Sequence, residues 1–186
     1  MKNFNLMIFT LRELFDVLIM TLAVGYIFMD LFRKQPIGFD KNAFLFACLV
    51  TAPALIVHEL AHKFIALSFG LGATFHAAYF WLALGIILKM LRFGFIFFVP
   101  AYVSIGQGVA VPPLSFALIA FAGPALNLVL FIIAWALLKQ KRLKRNTFIF
   151  LQVTKQINLF LFIFNMLPIP FFDGLKVYQG LYQAFF

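Results

Sequence analysis

The sequence predicts an all-helical, polytopic membrane protein: a bundle of about four transmembrane helices, one irregular insertion and a short C-terminal helix. Three observations predict this fold class. Of the 186 residues, 65% are hydrophobic and 11% are charged, whereas a soluble domain normally carries about 25% charged residues. Apolar stretches of roughly 20 residues, the helical length that crosses about 30 Å of hydrocarbon, recur along the chain. Glycine and proline interrupt the sequence between these stretches, where a helix is expected to end.

The first predicted span covers residues 14–32. It contains acidic residues and lacks a small-residue cleavage site, so we expect a retained span rather than a cleaved signal. The second span covers about 43–69, and we expect Asn42 to be its N-cap. Pro53 lies inside this span, where it removes one backbone hydrogen bond and bends the helix.

The segment between the second and third spans is predicted to be irregular. Residues 77–91 have a helical pattern, whereas 93–105 are rich in aromatic and β-branched residues and are interrupted by glycine and proline. We therefore expect a short interfacial helix followed by a re-entrant or β-hairpin-like insertion at about 93–108. Such backbone is tolerated at membrane depth only where it packs on protein or lines a wet cavity.

Two further spans and a terminal helix complete the predicted bundle. The third span covers about 113–138, the fourth about 148–166, and the final short helix 174–185. No internal repeat or soluble domain is recognisable, which predicts one transmembrane domain over residues 1–186 with its core at about 43–180.

The formal charge of +9 does not indicate nucleic-acid binding. A nucleic-acid site needs basic residues along an aqueous face, whereas most of the 15 basic residues lie at the edges of apolar segments. Contact with lipid headgroups of the bilayer explains those positions. The single cysteine, Cys48, excludes an internal disulfide.

Acidic residues are scarce enough to be informative. Only six occur, and beyond residue 41 there are just Glu59 and Asp173. Because an ionisable group inside a membrane segment is costly, each of these two needs a reason to be there.

Glu59 belongs to the motif His58-Glu59-Leu60-Ala61-His62. Histidines at positions i and i+4 project from one helix face, so both imidazoles can bind one metal ion. The glutamate lies about 100° around the helix from the first histidine, where it reaches a water molecule rather than the metal and can act as a general base. The alternative is two interior histidines in a chance pattern. An apolar helix disfavours that alternative, because three adjacent polar groups would need partners without water nearby.

A zinc ion held by two histidines needs a third protein ligand, with the fourth position left to water. His76 is one candidate, but its segment has no motif character, which favours an ordinary interfacial or loop histidine. Asp173 is the favoured candidate, because Pro168 and Pro170 break the preceding helix and Gly174 lets the chain turn. A carboxylate there can point into the bundle core, although an N-cap of the terminal helix is the alternative role.

Three ordered motifs resemble those of the site-2 protease family of intramembrane zinc metalloproteases. They are the motif ending at His62, the Gly-Pro-x-x-Asn pattern of Gly123-Pro124-Ala125-Leu126-Asn127, and Asn165-x-x-Pro168 followed by Asp173-Gly174. The resemblance covers about residues 43–180, which is most of the chain.

The resemblance implies one zinc ion per chain, held by His58, His62 and Asp173, with Glu59 as the general base. It also implies that Asn165 helps to position the substrate or its oxyanion, with a helix-terminal cap as its alternative role. Gly123 and Asn127 are expected to serve close helix packing, and Asn127 is also a candidate to face the site and, like Asn165, to contact the substrate or its oxyanion.

The resemblance further implies substrates and a location. Family members cut single-pass membrane proteins within or near the bilayer, so we expect a zinc metalloendopeptidase acting in regulated intramembrane proteolysis. The expected location is the cell membrane of a prokaryote, as an integral multi-pass protein. Many members carry a PDZ or CBS domain, and neither fits in 186 residues. The stretch 93–108 corresponds to the family's membrane-associated hairpin, where Phe95–Val99 is predicted to pair with an extended substrate.

Two other functions use the same motif. A non-catalytic zinc-binding adaptor or chaperone of the same fold would be favoured if a motif residue were missing, and none is. A metal transporter would need polar residues distributed along a path, whereas here they cluster at one site.

Overall fold

The computed structural model describes residues 9–33, 38–93, 99–106 and 110–186. Within these ranges the chain is mostly helical, with one small sheet, and the predicted fold class is confirmed. In chain order the elements are α1 (Leu11–Phe28), a short 3-10 helix (Met29–Leu31), α2 (Lys41–Ser68), β1 (Ala73–Ala77), α3 (Tyr79–Met90), β2 (Ala101–Ile105), α4 (Pro113–Leu137), α5 (Arg145–Asn165) and α6 (Asp173–Phe185).

Four helices in the described ranges are long and apolar enough to cross a membrane: α1 with the 3-10 helix, α2, α4 and α5. Their ends differ from the predicted ones by no more than about three residues, the usual uncertainty of a helix boundary. Large apolar side chains cover their outward faces, among them Leu18, Ile132 and Trp135. A soluble protein rarely exposes so much apolar surface, whereas a bilayer requires it. The chain is a membrane protein.

The chain forms two compact units. The first takes in the described parts of Met1–Ala52 and Ala66–Val109, and the second consists of Pro53–Ile65 and the described part of Ala110–Phe186. The prediction of a single domain stays a prediction.

In the first unit, β1 and β2 pair as an antiparallel ribbon, with Ala73 opposite Ile105 and Ala77 opposite Ala101. β2 lies inside the predicted insertion at 93–108, but its partner strand precedes α3, and the sequence pattern predicts no strand there. The predicted substrate-pairing segment Phe95–Val99 lies outside the described residues except for Val99.

Two buried acids of α1 hold other elements of the first unit in place. Glu13 and Asp16 are each 1% exposed. One carboxylate oxygen of Glu13 accepts from the Thr10 backbone N–H at 2.8 Å, and the Thr10 hydroxyl in turn accepts from the Glu13 N–H at 3.2 Å. This is a capping box that closes the start of α1. The other Glu13 oxygen accepts the backbone N–H of Phe75 in β1 at 2.7 Å.

Asp16 makes the corresponding link to α3. Its carboxylate accepts a hydrogen bond from the Tyr79 hydroxyl, and this bond raises the pKa of Tyr79. Glu13 and Asp16 are therefore attachment points for β1 and α3, which explains why a membrane helix carries them.

Glu13→Ala is expected to lower the free energy of unfolding by about 1–3 kcal/mol, because it leaves the buried Phe75 N–H without its acceptor. Chemical unfolding in detergent measures the change. Glu13→Gln is the matched control, since its amide oxygen can still accept from Phe75 and it should lose much less. Equal stability of the two variants would contradict this role.

The N-cap of α2 differs from the prediction. The Asp40 carboxylate accepts from the backbone N–H of Asn42 at 3.0 Å and of Ala43 at 3.1 Å, so Asp40 is the cap and Asn42 is not. Both residue types are good caps, but a carboxylate also interacts favourably with the helix dipole, and the helix therefore begins two residues earlier than predicted.

In the second unit, α4 packs against α5 and α6. Small residues allow this close approach: a Cβ on Gly180 of α6 would lie 2.7 Å from the Pro113 carbonyl oxygen of α4. The turn between α5 and α6 places Gly174 against the backbone of Met166, where a Cβ would lie 2.5 Å from the carbonyl carbon and oxygen. Glycine at this position thus fixes where Asp173 begins α6.

Candidate metal centre

Three ligand atoms meet in the second unit. The Nε2 atoms of His58 and His62 are 3.1 Å apart, because the two residues lie one turn apart on the same face of α2. The Asp173 Oδ2 atom, at the start of α6, is 3.1 Å from each of these nitrogens. Among the described residues, these three are the His, Cys, Asp and Glu side chains grouped closely enough to hold a metal ion.

The spacing of these atoms fits zinc. Ligands at about 2.0–2.1 Å from a tetrahedral ion lie about 3.3–3.4 Å from one another, close to the 3.1 Å edges seen here. The donor set of two imidazoles and one carboxylate also matches that of catalytic zinc sites with three protein ligands and one open position. The residues present therefore fit the ion.

The remaining ring nitrogen of each histidine contacts a hydrogen-bond acceptor. His62 Nδ1 lies 2.7 Å from the Ile119 carbonyl oxygen, which can only accept, so in the neutral ring Nδ1 carries the proton and Nε2 keeps its lone pair. His58 Nδ1 lies 2.5 Å from Asn127 Oδ1. A hydrogen bond of this kind behind a ligating histidine fixes its tautomer and ring orientation.

Asn127 lies behind His58 and is fully buried. Its amide nitrogen donates to the Ala54 carbonyl at 3.2 Å and to Asn158 Oδ1 at 2.8 Å. Both ends of the Asn127 amide are thus bonded to protein atoms, which favours a role in orienting His58 over one in contacting substrate.

Gly123 explains how α4 approaches the two imidazoles. A Cβ at this position would lie 2.6 Å from His58 Nε2, and closer still to His62 Nε2. The close packing expected of Gly123 therefore brings α4 against the candidate ligands themselves.

Asp173 is the first residue of α6, and Phe172 is the N-cap residue without a side-chain cap bond. The Asp173 side chain instead reaches the two histidines, while its other oxygen lies 3.4 Å from Lys176 Nζ. Burial opposes ionisation of Asp173, but hydrogen bonds and charge from the two imidazoles in their protonated form outweigh it and hold its pKa well below the usual range. The group is therefore a carboxylate at neutral pH, the form that binds a metal.

Glu59 is separate from the converging ligand atoms, although it is near enough to interact electrostatically with all three ligands and with Lys176. Its place on α2, between the two histidines, suits a base that reaches a water molecule rather than the ion.

Two other predicted residues make local contacts. The Asn165 amide nitrogen donates to the Leu161 carbonyl of its own helix at 2.9 Å. His76 lies in β1 rather than in a loop, with Nε2 2.9 Å from Ser104 Oγ and its ring stacked on Tyr102. His76 is not part of the group of three ligands.

Sequence reasoning missed the Ile119 carbonyl and Asn158. Every residue has a backbone carbonyl, so the residue type does not indicate which carbonyl contacts a histidine. Asn158 is one of several polar residues in α5, and its neighbours Gln152, Lys155 and Gln156 carry the same signal.

The sequence is similar to two curated proteins. It is 38% identical over 172 residues to "Putative zinc metalloprotease MJ0611" of Methanocaldococcus jannaschii, covering 91% of this chain and 84% of that protein. It is 29% identical over 164 residues to "Putative zinc metalloprotease YwhC" of Bacillus subtilis, covering 75% of this chain and 74% of that protein. No protein-family model matches the chain, and no solved structure matches it.

Proposed function

Because the chain belongs to the zinc metalloprotease family of the two relatives above, we propose that it is an intramembrane zinc endopeptidase of the site-2 protease type. The observation that carries the proposal is the triangle formed by His58, His62 and Asp173, with 3.1 Å edges. Two of the three ligands lie on α2, a helix apolar enough to cross a membrane. A hydrolytic site there acts on peptide bonds that are themselves in the membrane.

In this proposal His58, His62 and Asp173 hold one zinc ion per chain. When bound, zinc acts as a Lewis acid that lowers the pKa of a water molecule and polarises a carbonyl oxygen. The Ile119 carbonyl and the Asn127 amide keep the proton of each imidazole on Nδ1, so that both Nε2 atoms face the ion.

Glu59 moves the proton. Its carboxylate takes a proton from the attacking water and returns it to the nitrogen of the leaving amine. The position of Glu59 between the two ligand residues of α2 keeps the carboxylate beside the reacting atoms without making it a ligand. Asn165 is proposed to position the substrate or its oxyanion.

The proposed substrates are transmembrane segments of single-pass membrane proteins, cut in regulated intramembrane proteolysis. The apolar, outward-facing side chains of the spanning helices support this, because they place the chain where such segments lie. The proposed location is the cell membrane of a prokaryote, and both relatives come from prokaryotic organisms.

Removal of zinc tests the proposal. Purified protein in liposomes is expected to contain one zinc ion per chain and to cut a single-pass reporter. A chelator should abolish cleavage and added zinc should restore it. His62→Gln should lose zinc and activity, whereas the matched control His76→Gln should keep both.

Two outcomes would contradict the proposal. Protein that holds no zinc under any loading condition would exclude a zinc peptidase. Bound zinc without cleavage of any reporter would favour the non-catalytic adaptor instead.

A further inference from the structure

We infer that Asn158 is a positioning residue for the zinc centre, setting the tautomer of His58 through the side chain of Asn127. The inference rests on the proposed function, because it concerns how the chain prepares a zinc ligand. The donor and the acceptor of each hydrogen bond can be identified along a series that runs from a backbone carbonyl to the ligating nitrogen.

This series of hydrogen bonds begins on α5. Asn158 Nδ2 lies 2.8 Å from the carbonyl oxygen of Thr154. A carbonyl can only accept a hydrogen bond, so the nitrogen end of the Asn158 amide must face it. The oxygen end of Asn158 is therefore directed at Asn127.

The orientation of Asn127 follows from that of Asn158. Its amide nitrogen lies between two acceptors, Asn158 Oδ1 at 2.8 Å and the Ala54 carbonyl at 3.2 Å. The amide oxygen is left to face His58 Nδ1 at 2.5 Å. His58 must then donate from Nδ1, which in the neutral ring leaves Nε2 without a proton and available to the ion.

The reverse orientation would block the site. If the Asn127 amide were turned over, its N–H would face His58 Nδ1, and a neutral imidazole would carry its proton on Nε2. The amide oxygen would also face two other acceptor oxygens. Asn127 and Asn158 are at most 1% exposed, so water cannot supply hydrogen bonds to an Asn127 amide in the reversed orientation.

Asn158 is the stronger of the two acceptors that orient Asn127. Its bond is the shorter one, whereas the Ala54 carbonyl lies inside α2 and also serves the backbone of that helix. Loss of Asn158 therefore leaves the Asn127 amide nitrogen with the weaker acceptor alone, the Ala54 carbonyl. We expect partial rather than complete loss of zinc affinity, within the range of about 10–100-fold found for residues that support metal ligands.

Zinc affinity of the protein is the first measurement. Asn158→Leu should weaken zinc binding about tenfold or more in a competition titration against a chromophoric chelator. Gln156→Leu is the matched control, since it makes the same kind of change at an exposed position of α5, and it should bind zinc as the wild type does. Asn158→Asp keeps an oxygen that can accept from Asn127 and should recover part of the affinity.

The tautomer of His58 in zinc-free protein is the second measurement, and it does not depend on activity. The chain has only three histidines, so ¹⁵N imidazole spectra can be assigned with single substitutions. The wild type should show His58 protonated at Nδ1, and Asn158→Leu should show a mixture of both tautomers. Should Asn158→Leu not fold, Asn158→Ser, which is too short to reach Asn127, replaces it.

A double-mutant cycle separates this role from a merely structural one. If Asn158 acts through Asn127, the Asn127→Leu/Asn158→Leu protein should bind zinc no more weakly than Asn127→Leu alone. Additive losses, or an unchanged tautomer and affinity in Asn158→Leu, would overturn the inference. A wild type that shows the Nδ1 tautomer but never binds zinc would instead refute the proposed function while leaving the tautomer control by Asn158 intact.

Discussion

Glu59→Gln is expected to reduce cleavage of a membrane-embedded reporter by about 10²–10⁴-fold, the usual contribution of a general base. Zinc content should stay at one ion per chain, because Glu59 is not among the converging ligand atoms. Glutamine has nearly the same size and shape as glutamate but cannot take a proton from water. The variant therefore removes the proton-transfer step and preserves the architecture.

Single-turnover cleavage in liposomes and zinc analysis of the same sample measure the two quantities. Asp30→Asn is the matched control, since it makes the same carboxylate-to-amide change at an exposed acid of the first unit that pairs with Lys89 at 3.1 Å and with Arg33 at 3.4 Å; its cleavage rate should equal that of the wild type. Loss of zinc together with activity would mean that Glu59 supports the metal site, and full activity would remove it from the mechanism.

The candidate metal ligands could be recognised from sequence because their chemistry is encoded in residue type and short spacing. His58 and His62 share a helix face whatever the tertiary fold, and Asp173 stood out because acids are almost absent from the apolar chain. The structure then brings Asp173 to the two histidines across 111 and 115 positions of sequence. The rarity of carboxylates, the prolines that break the helix before Asp173 and the family resemblance together allowed that long-range contact to be anticipated.

Contacts that depend on backbone groups or on common residue types could not be predicted. The strand β1 is five residues long and becomes a strand because it pairs with β2, which follows α3 in the chain. The contact of Glu13 with the Phe75 backbone N–H could not be predicted, because the two residues are 62 positions apart and every non-proline residue has an N–H. The Ile119 carbonyl behind His62 is invisible in sequence for the same reason: any residue would supply it.

Gly123→Ala is expected to reduce zinc affinity by at least about 100-fold and to abolish measurable cleavage. In an ordinary helix this change would stabilise the protein by up to about 1 kcal/mol, because alanine has the higher helix propensity. Here the added methyl group would lie 2.6 Å from His58 Nε2 and would contact His62 Nε2 as well. These are the two nitrogens proposed to bind the ion, so either the rings or α4 must move.

Gly25→Ala separates the effect on the ligands from the effect of crowding a helix. Its methyl group would contact the Cys48 side chain in the first unit, so it should perturb packing there while zinc content stays at the wild-type level. Zinc titration and thermal unfolding of both variants give the comparison. If Gly123→Ala bound zinc normally and unfolded at a higher temperature than the wild type, helix propensity would have outweighed the contact. The imidazoles would then not lie where the candidate metal centre requires them.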